Sequence, residues 1–353
     1  MSPEADSGSL GAAAGSHPRT TNSRASANLV TKIYVTPGGK PICGGVNVPQ
    51  CLVTGGAGFI GSHLVDAILA EGQSVRVLDD FSTGNTANLA NAQGRIELIR
   101  GSVTQAETVD QAVAGCEVVY HLAAVASVTK SVETPLVSHD VCATGTLHIL
   151  DAARRLGVRR VVFVASSSAY GDQPGAERTE DDALLALSPY AAAKLASEHY
   201  CTAFTSVYGL ETVRLRFFNV FGPRQDAKSP YSGVIAIFIA AMKQGKPPTI
   251  FGDGLQARDF VYVANVVHAL RLAGEAKKAV GRVYNIGSGK STTLLELVKC
   301  LNEILGTRIQ AVHRPPRPGD VRFSQASIRR AQEELGYSPS VTFRDGLART
   351  VTD

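Results

Sequence analysis

The tightest constraint on the fold lies between residues 51 and 69. Cys51-Leu52-Val53-Thr54 is a short apolar run, Gly55-Gly56-Ala57-Gly58-Phe59-Ile60-Gly61 follows at once, and a helical period continues through Leu69. Glycines at 55, 58 and 61 permit a tight turn, close approach of backbone to a pyrophosphate, and close packing of helix on strand; the helix N-terminus then faces the phosphates. A glycine motif alone is a weak signal. Here it sits between a strand and a helix, and the next strand ends at Asp79, eighteen residues past Gly61. An acidic side chain there accepts from both ribose hydroxyls and repels a 2′-phosphate, which selects NAD over NADP. The bland alternative is a glycine turn with a capping aspartate.

From Gln50 onward, β-branched runs alternate with helix-length segments. Strands are expected at 51–54, 74–78, 96–99, 118–121, 161–164 and 213–216. Such alternation predicts an α/β chain with a Rossmann-type, doubly wound parallel sheet covered on both faces. After about residue 219 the pattern loosens into loops rich in Gly, Pro and Arg, with helices near 231–244 and 292–305. The expected organisation is a disordered tail at 1–47, a dinucleotide-binding domain at 48–218 to which part of 260–290 returns, and a smaller lobe at 219–353. The tail is assigned because its Ser, Ala, Gly, Thr and Pro carry almost no apolar period.

Composition excludes several function classes. With 353 residues, 44% hydrophobic and 19% charged, the chain can bury a large core. No run approaches eighteen apolar residues, and the N-terminus lacks the basic-then-apolar order of a secretory signal, so no membrane association is expected. The six cysteines are scattered without a Cys-x-x-Cys pair, which suits free thiols in the reducing cytoplasm and indicates neither a disulfide framework nor a metal site. A net charge of +4, with no Lys/Arg block, is too small for a nucleic-acid footprint.

The stretch Ser188-Pro189-Tyr190-Ala191-Ala192-Ala193-Lys194 reads as a helix start, with serine as cap and proline in the first turn. Tyr190 and Lys194 then share a face at i and i+4. An ammonium beside the phenol is expected to pull it below its free value of about 10 and make a general base near neutral pH. By itself the pair is more often a surface coincidence.

The Gly-x-x-Gly-x-x-Gly spacing, the strand ending Val119-Tyr120-His121-Leu122-Ala123-Ala124, the serines 166–168 before Ala169-Tyr170-Gly171-Asp172, and Tyr190 with Lys194 occur in a telling order. The chain in this resembles the extended short-chain dehydrogenase/reductases, in their NAD-dependent epimerase/dehydratase branch, and within it the UDP-hexose 4-epimerases of the UDP-N-acetylglucosamine type. The likeness runs from about 50 to 350. It implies NAD held by Gly55, Gly58, Phe59, Ile60, Gly61, Asp79, Ser102, Val103, Leu122, Ala123, Ala124, Tyr190 and Lys194. Two positions depart from the family pattern: Cys142 stands where Asn is usual, and Ser102 where an aspartate reaches the adenine. A thiol lacks an amide's donors and acceptor, so weaker NAD binding or turnover is expected.

The resemblance further implies that Tyr190 takes the proton from a sugar 4-hydroxyl while carbon 4 gives its hydride to NAD, and that the 4-keto sugar turns over before the hydride returns. Serine hydroxyls relay the proton; spacing favours Ser166 and Ser167 over Ser168. Dehydratases and decarboxylases of this kind need an acid after the catalytic hydroxyl, and Ser167, Ser168 and Ala169 supply none. For the substrate, the likeness points to Ser127, Ser167, Tyr190, Asn219, Arg258, Arg317, Asp320 and Ser324. Arginine's planar fork suits phosphate, though loop arginines also make surface ion pairs, Arg322 as readily as not. Ser324, four residues after Asp320, takes the place where a tyrosine closes the pocket opposite the sugar's 2-substituent; a serine leaves room for an acetamido group. A homodimer through helices near 133–156 and 189–206 is implied too, with Leu136, Val141 and Ile149 either exposed to the partner or packed on the sheet. Other readings are an epimerase of a uronic acid or of a GDP- or dTDP-linked sugar, and a non-catalytic NAD-binding scaffold.

Overall fold

The computed structural model describes residues 50–173, 175, 177–227, 233–316 and 322–352. The expected tail at 1–47 lies outside them. Strands β1 (Cys51–Thr54), β2 (Val75–Asp79), β3 (Ile96–Arg100), β4 (Val118–His121) and β5 (Arg160–Ser166) alternate with α1 (Phe59–Ala70), α2 (Ala106–Val113), α3 (Val128–Glu133), α4 (Pro135–His139) and α5 (Gly145–Arg155). Next come β6 (Glu177–Arg178), α6 (Pro189–Tyr208), β7 (Glu211–Phe217), β8 (Asn219–Phe221), α7 (Val234–Lys243), β9 (Thr249–Phe251), β10 (Ala257–Arg258) and β11 (Phe260–Tyr262). The chain closes with α8 (Val263–Glu275), β12 (Val283–Ile286), β13 (Thr292–Thr293), α9 (Leu294–Leu305), β14 (Val312–Arg314), β15 (Phe323–Ala326), α10 (Arg329–Leu335) and α11 (Phe343–Thr352).

The large sheet has the order β12-β7-β5-β4-β1-β2-β3, and all its pairings are parallel. This is the doubly wound Rossmann arrangement, with the strand order reversing between β1 and β4, where a dinucleotide binds beyond the strands' C-terminal ends. Side chains alternate across the sheet. Cys51 and Val53 join the core with Leu64, Val65 and Ile68 of α1 and Val266 and Leu270 of α8. Leu52 and Val119 face the other way, against Val109 of α2, Ile149 and Leu150 of α5, and Cys201 and Phe204 of α6. Both faces being covered explains why these strands read as unbroken apolar runs.

Smaller sheets gather beyond the C-terminal edge: four strands ordered β13-β10-β15-β6, and the pairs β11-β8 and β14-β9. Ile149 is fully buried in the core, whereas Leu136 is 78% exposed, so only the second keeps the outward position expected of a partner-facing residue.

Candidate active site

β1 runs into the glycine turn with the Gly55 amide donating to the Leu78 carbonyl, 2.8 Å, and Gly58 to Gly55, 3.1 Å. Gly55 has φ +70°, and a Cβ there would lie 2.9 Å from the Ala123 nitrogen; a Cβ on Gly61 would stand 2.1 Å from the Gly55 carbonyl oxygen. Only glycine allows this closeness. Gly58 caps α1 without a side-chain hydrogen bond, and no acid occupies the first turn, so the helix's first amides open onto a cleft. The cleft, about 490 Å³, is lined by Gly55, Gly58, Phe59, Ile60, Gly61, Asp79, Ser102, Val103, Leu122, Ala123 and Ala124, and also by Ser166, Tyr190 and Lys194. All the cofactor-directed residues expected from sequence therefore meet in one place. A backbone cradle that a Cβ would fill, facing a carboxylate, fits an adenine dinucleotide.

Asp79 is fixed from both sides, its Oδ2 accepting from the Ala57 amide and its Oδ1 from the Phe81 amide, each at 2.8 Å. Burial pushes its pKa up, and those two amides oppose the rise. Each carboxylate oxygen keeps a lone pair for a hydroxyl. The Ser102 hydroxyl accepts from the Thr104 amide and hydroxyl at 3.3 and 3.0 Å, so it stays at the cleft edge as part of a turn.

Behind the cleft runs a directed chain of hydrogen bonds. Thr54 Oγ1 accepts from the Leu122 and Ala123 amides, both at 3.1 Å, and therefore donates its own proton to His121 Nδ1 at 2.7 Å. The proton of neutral His121 is then on Nε2, which donates to Thr146 Oγ1 at 3.0 Å, and Thr146 donates to the Cys142 carbonyl at 2.5 Å. Burial, with the nearby Lys194 charge second, holds His121 down to about 3. Cys142 lies on a π-helical turn, Asp140–Thr144, that joins α4 to α5. Its carbonyl also accepts from Ser197 of α6, 2.7 Å. The Cys142 side chain does not line the cleft; it packs with Ala143 and Ala193, against Ala124 and Tyr190.

α6 starts as expected: Ser188 caps it by accepting from the Ala191 amide at 3.1 Å, and Pro189 opens the first turn. Its first two turns carry Tyr190 and Lys194. The expected lowering of Tyr190 by Lys194 is not found. Burial, aided by Cys142, pushes the phenol above its ordinary value, and the nearby Ser166 hydroxyl works against the rise. The Lys194 ammonium points instead to β5, donating to the Val164 carbonyl at 2.8 Å and lying 4.7 Å from the Phe163 ring centroid. Burial lowers its pKa, while Cys142, Cys201 and Glu198 raise it.

Among the serines, Ser166 lines the cleft together with Tyr190, accepts from the Ser168 amide at 3.2 Å and shares a 2.8 Å hydroxyl contact with Ser168. Ser167, expected beside it, does not line the cleft but opens a short 3₁₀ turn to Tyr170. The Ser127 hydroxyl caps α3, accepting from the Lys130 amide at 3.1 Å and keeping its own proton to donate.

Three of the substrate-directed residues, Asn219, Arg258 and Ser324, gather around Asp259. Parallel pairing sets Arg258 of β10 opposite Ser324 of β15, and Asn219 opposite Phe260. The Asp259 carbonyl accepts from the Asn219 amide, and its buried carboxylate accepts from the Ser288, Gly289 and Ala326 amides and from the Ser288 hydroxyl. Arg258 donates to the Ala257 and Arg322 carbonyls, and Arg322 pairs with Asp253 at 2.9 Å. Arg317 and Asp320 lie outside the described residues. Sequence reasoning missed Gln225, which lines the cleft, and Asp259; a polar residue two positions after Gly222-Pro223 and a carboxylate beside Arg258 were the available signals.

Residues 51–287 match the model of the NAD dependent epimerase/dehydratase family. The chain is 40% identical over 306 residues to the UDP-glucose 4-epimerase of Mycolicibacterium smegmatis, covering 86% of this chain and 97% of that one. Among solved structures it is similar to the UDP-glucose 4-epimerase of Thermotoga maritima with UDP-glucose, at 40% identity and TM-score 0.82, covering 86% of this chain and 97% of that one. The UDP-N-acetylglucosamine 4-epimerase of Methanobrevibacter ruminantium M1, in complex with UDP-N-acetylmuramic acid, is 37% identical with TM-score 0.82 and the same coverages.

Proposed function

The chain belongs to the NAD dependent epimerase/dehydratase family, and on that premise we propose that it is an NAD-dependent 4-epimerase of UDP-hexoses. The observation that carries this reading is the single cleft in which Tyr190 and Ser166 meet the glycine turn and Asp79. Bound there, NAD supplies a hydride acceptor and, in the return direction, a donor. Gly55, Gly58, Phe59, Ile60 and Gly61 hold the pyrophosphate, Asp79 the ribose hydroxyls, and Leu122, Ala123 and Ala124 the opposite wall. Burial keeps the Tyr190 phenol protonated by itself, and the positive charge of a nicotinamide bound beside it would favour the phenolate; as phenolate, Tyr190 accepts the proton of the sugar 4-hydroxyl and hands it back, Ser166 orients that oxygen, and Lys194 anchors the start of α6 to β5. No carboxylate follows on the turn of Ser167, Ser168 and Ala169, so nothing there moves the second proton that dehydration or decarboxylation requires. Oxidation and re-reduction at carbon 4 is the chemistry left.

The same reading divides the chain into an NAD-binding part at 48–218, with the returning segment around β12, and a part at 219–353 that mainly holds the nucleotide sugar. Asn219 and Arg258 face the diphosphate, with Arg317 and Asp320 assigned by family resemblance alone. Ser324, opposite Arg258, leaves space for a 2-acetamido group, so UDP-N-acetylglucosamine and UDP-N-acetylgalactosamine are substrates at least as good as UDP-glucose and UDP-galactose. Support comes from a relative that is a UDP-N-acetylglucosamine 4-epimerase. Incubation with each of the four UDP-sugars and separation of the epimers tests this. Formation of the 4-epimer is expected from each, and a chain that converts none of them is not this enzyme.

A further inference from the structure

The two reacting hydroxyls stand on different elements, Ser166 at the end of β5 and Tyr190 at the start of α6. A third element, β7, ties both together through one side chain. Arg216 and Glu198 are 4% and 3% exposed. Arg216 Nε donates to both oxygens of Glu198, at 3.0 and 3.1 Å, and Nη2 to one of them at 2.8 Å. Glu198 lies on α6 one turn beyond Lys194 and two beyond Tyr190. Arg216 Nη1 reaches the other way, donating to the Tyr170 hydroxyl at 2.9 Å, with the guanidinium carbon 5.0 Å from that ring's centroid. Tyr170 ends the turn that follows Ser166, and its hydroxyl donates to Asn285 Oδ1 on β12 at 2.7 Å.

A buried ion pair is a poor source of stability, because desolvation offsets most of its Coulomb gain and well-packed apolar residues do as well. What apolar residues lack is a planar fork that binds in two directions at once. We propose that Arg216 is a positioning residue which, through Glu198 and Tyr170, sets the separation between Tyr190 and Ser166. The proposal rests on the reading of Tyr190 and Ser166 as the proton-transferring pair, and goes beyond it by naming what holds them.

Tyr170→Phe removes one hydroxyl and keeps the ring; Arg216→Lys keeps the charge and removes the fork. Displacing a reacting group by about 1 Å costs roughly a hundredfold. In both variants kcat should fall about ten- to hundredfold with KM for the UDP-sugar and NAD affinity unchanged. A purely structural role would lower the melting temperature and leave kcat alone, which would overturn the proposal. Added to Ser166→Ala, Tyr170→Phe should cost nothing further, since the hydroxyl it misplaces is gone; full additivity would contradict the coupling. Crystal structures of the wild type and Tyr170→Phe decide the matter without any turnover. The separation of the Ser166 and Tyr190 hydroxyls should differ between the two, and an unchanged separation refutes the proposal even if the wild type converts no UDP-sugar and the epimerase reading fails on its own.

Discussion

Lys194 spends its ammonium on the Val164 carbonyl and the face of Phe163, so its first task is to seat α6 on β5. Tyr190, half-buried and lining the cleft beside Ser166, is the group whose oxygen takes the proton once it is ionised. Tyr190→Phe should lower kcat about 10²–10⁴-fold, the range for removing a general base, with UDP-sugar binding by calorimetry nearly unchanged. Wild-type turnover in that variant would move the base elsewhere. Ser324 offers a second residue-scale prediction. A tyrosine there would overlap an acetamido group, and overpacking a formed site costs about 1–3 kcal/mol, so Ser324→Tyr should lose activity on the two N-acetylated UDP-sugars selectively. Equal loss on all four, or none, would contradict the gate.

At the scale of elements, the six strands 51–54 to 213–216 were legible because strands covered on both faces must be apolar throughout. Two-residue strands such as β6, β10 and β13 were not, since so few residues carry no period. Tyr190 and Lys194 were placed on one helix face by their spacing, but spacing does not say where a long side chain ends, and Lys194 ends on β5. Ser166 and Ser167 could not be separated for a related reason: the chain turns between them. Arg216, Glu198 and Asp259 went unnoticed because a charged residue inside a strand or helix looks the same in sequence whether it is solvated or paired in the core. The His121 chain that joins β1, β4 and α5 has a consequence for stability. His121 stays neutral in the folded state down to about 3, whereas the unfolded chain takes up that proton near pH 6.5. The unfolded state therefore binds more protons between those values, and stability should fall as pH drops below about 6.5, by roughly 1.4 kcal/mol per unit from this group. Denaturant midpoints at pH 7.5 and 5 should show the fall in wild type and a smaller one in His121→Gln; equal slopes would show that His121 is not the group responsible.

At the scale of the whole molecule, apolar side chains remain uncovered on one set of helices: Val132, Leu136 and Val137 of α3 and α4, and Tyr200, Val207 and Tyr208 of α6 are exposed. A patch of this kind marks an interface, and we expect a homodimer through these helices; a monomeric mass by light scattering at micromolar concentration would refute it. Because α6 also carries Tyr190 and Lys194, the dimer contact would bear on the same helix that holds the site. In the proposed reaction carbon 4 of a UDP-hexose loses and regains its own hydrogen within one cleft. The most direct measurement is to incubate purified protein with UDP-N-acetylglucosamine in D₂O without added reductant, and read the product by proton NMR and mass spectrometry. The expected product is UDP-N-acetylgalactosamine whose carbon 4 still carries hydrogen; no epimer, or an epimer deuterated at carbon 4, would rule the reaction out.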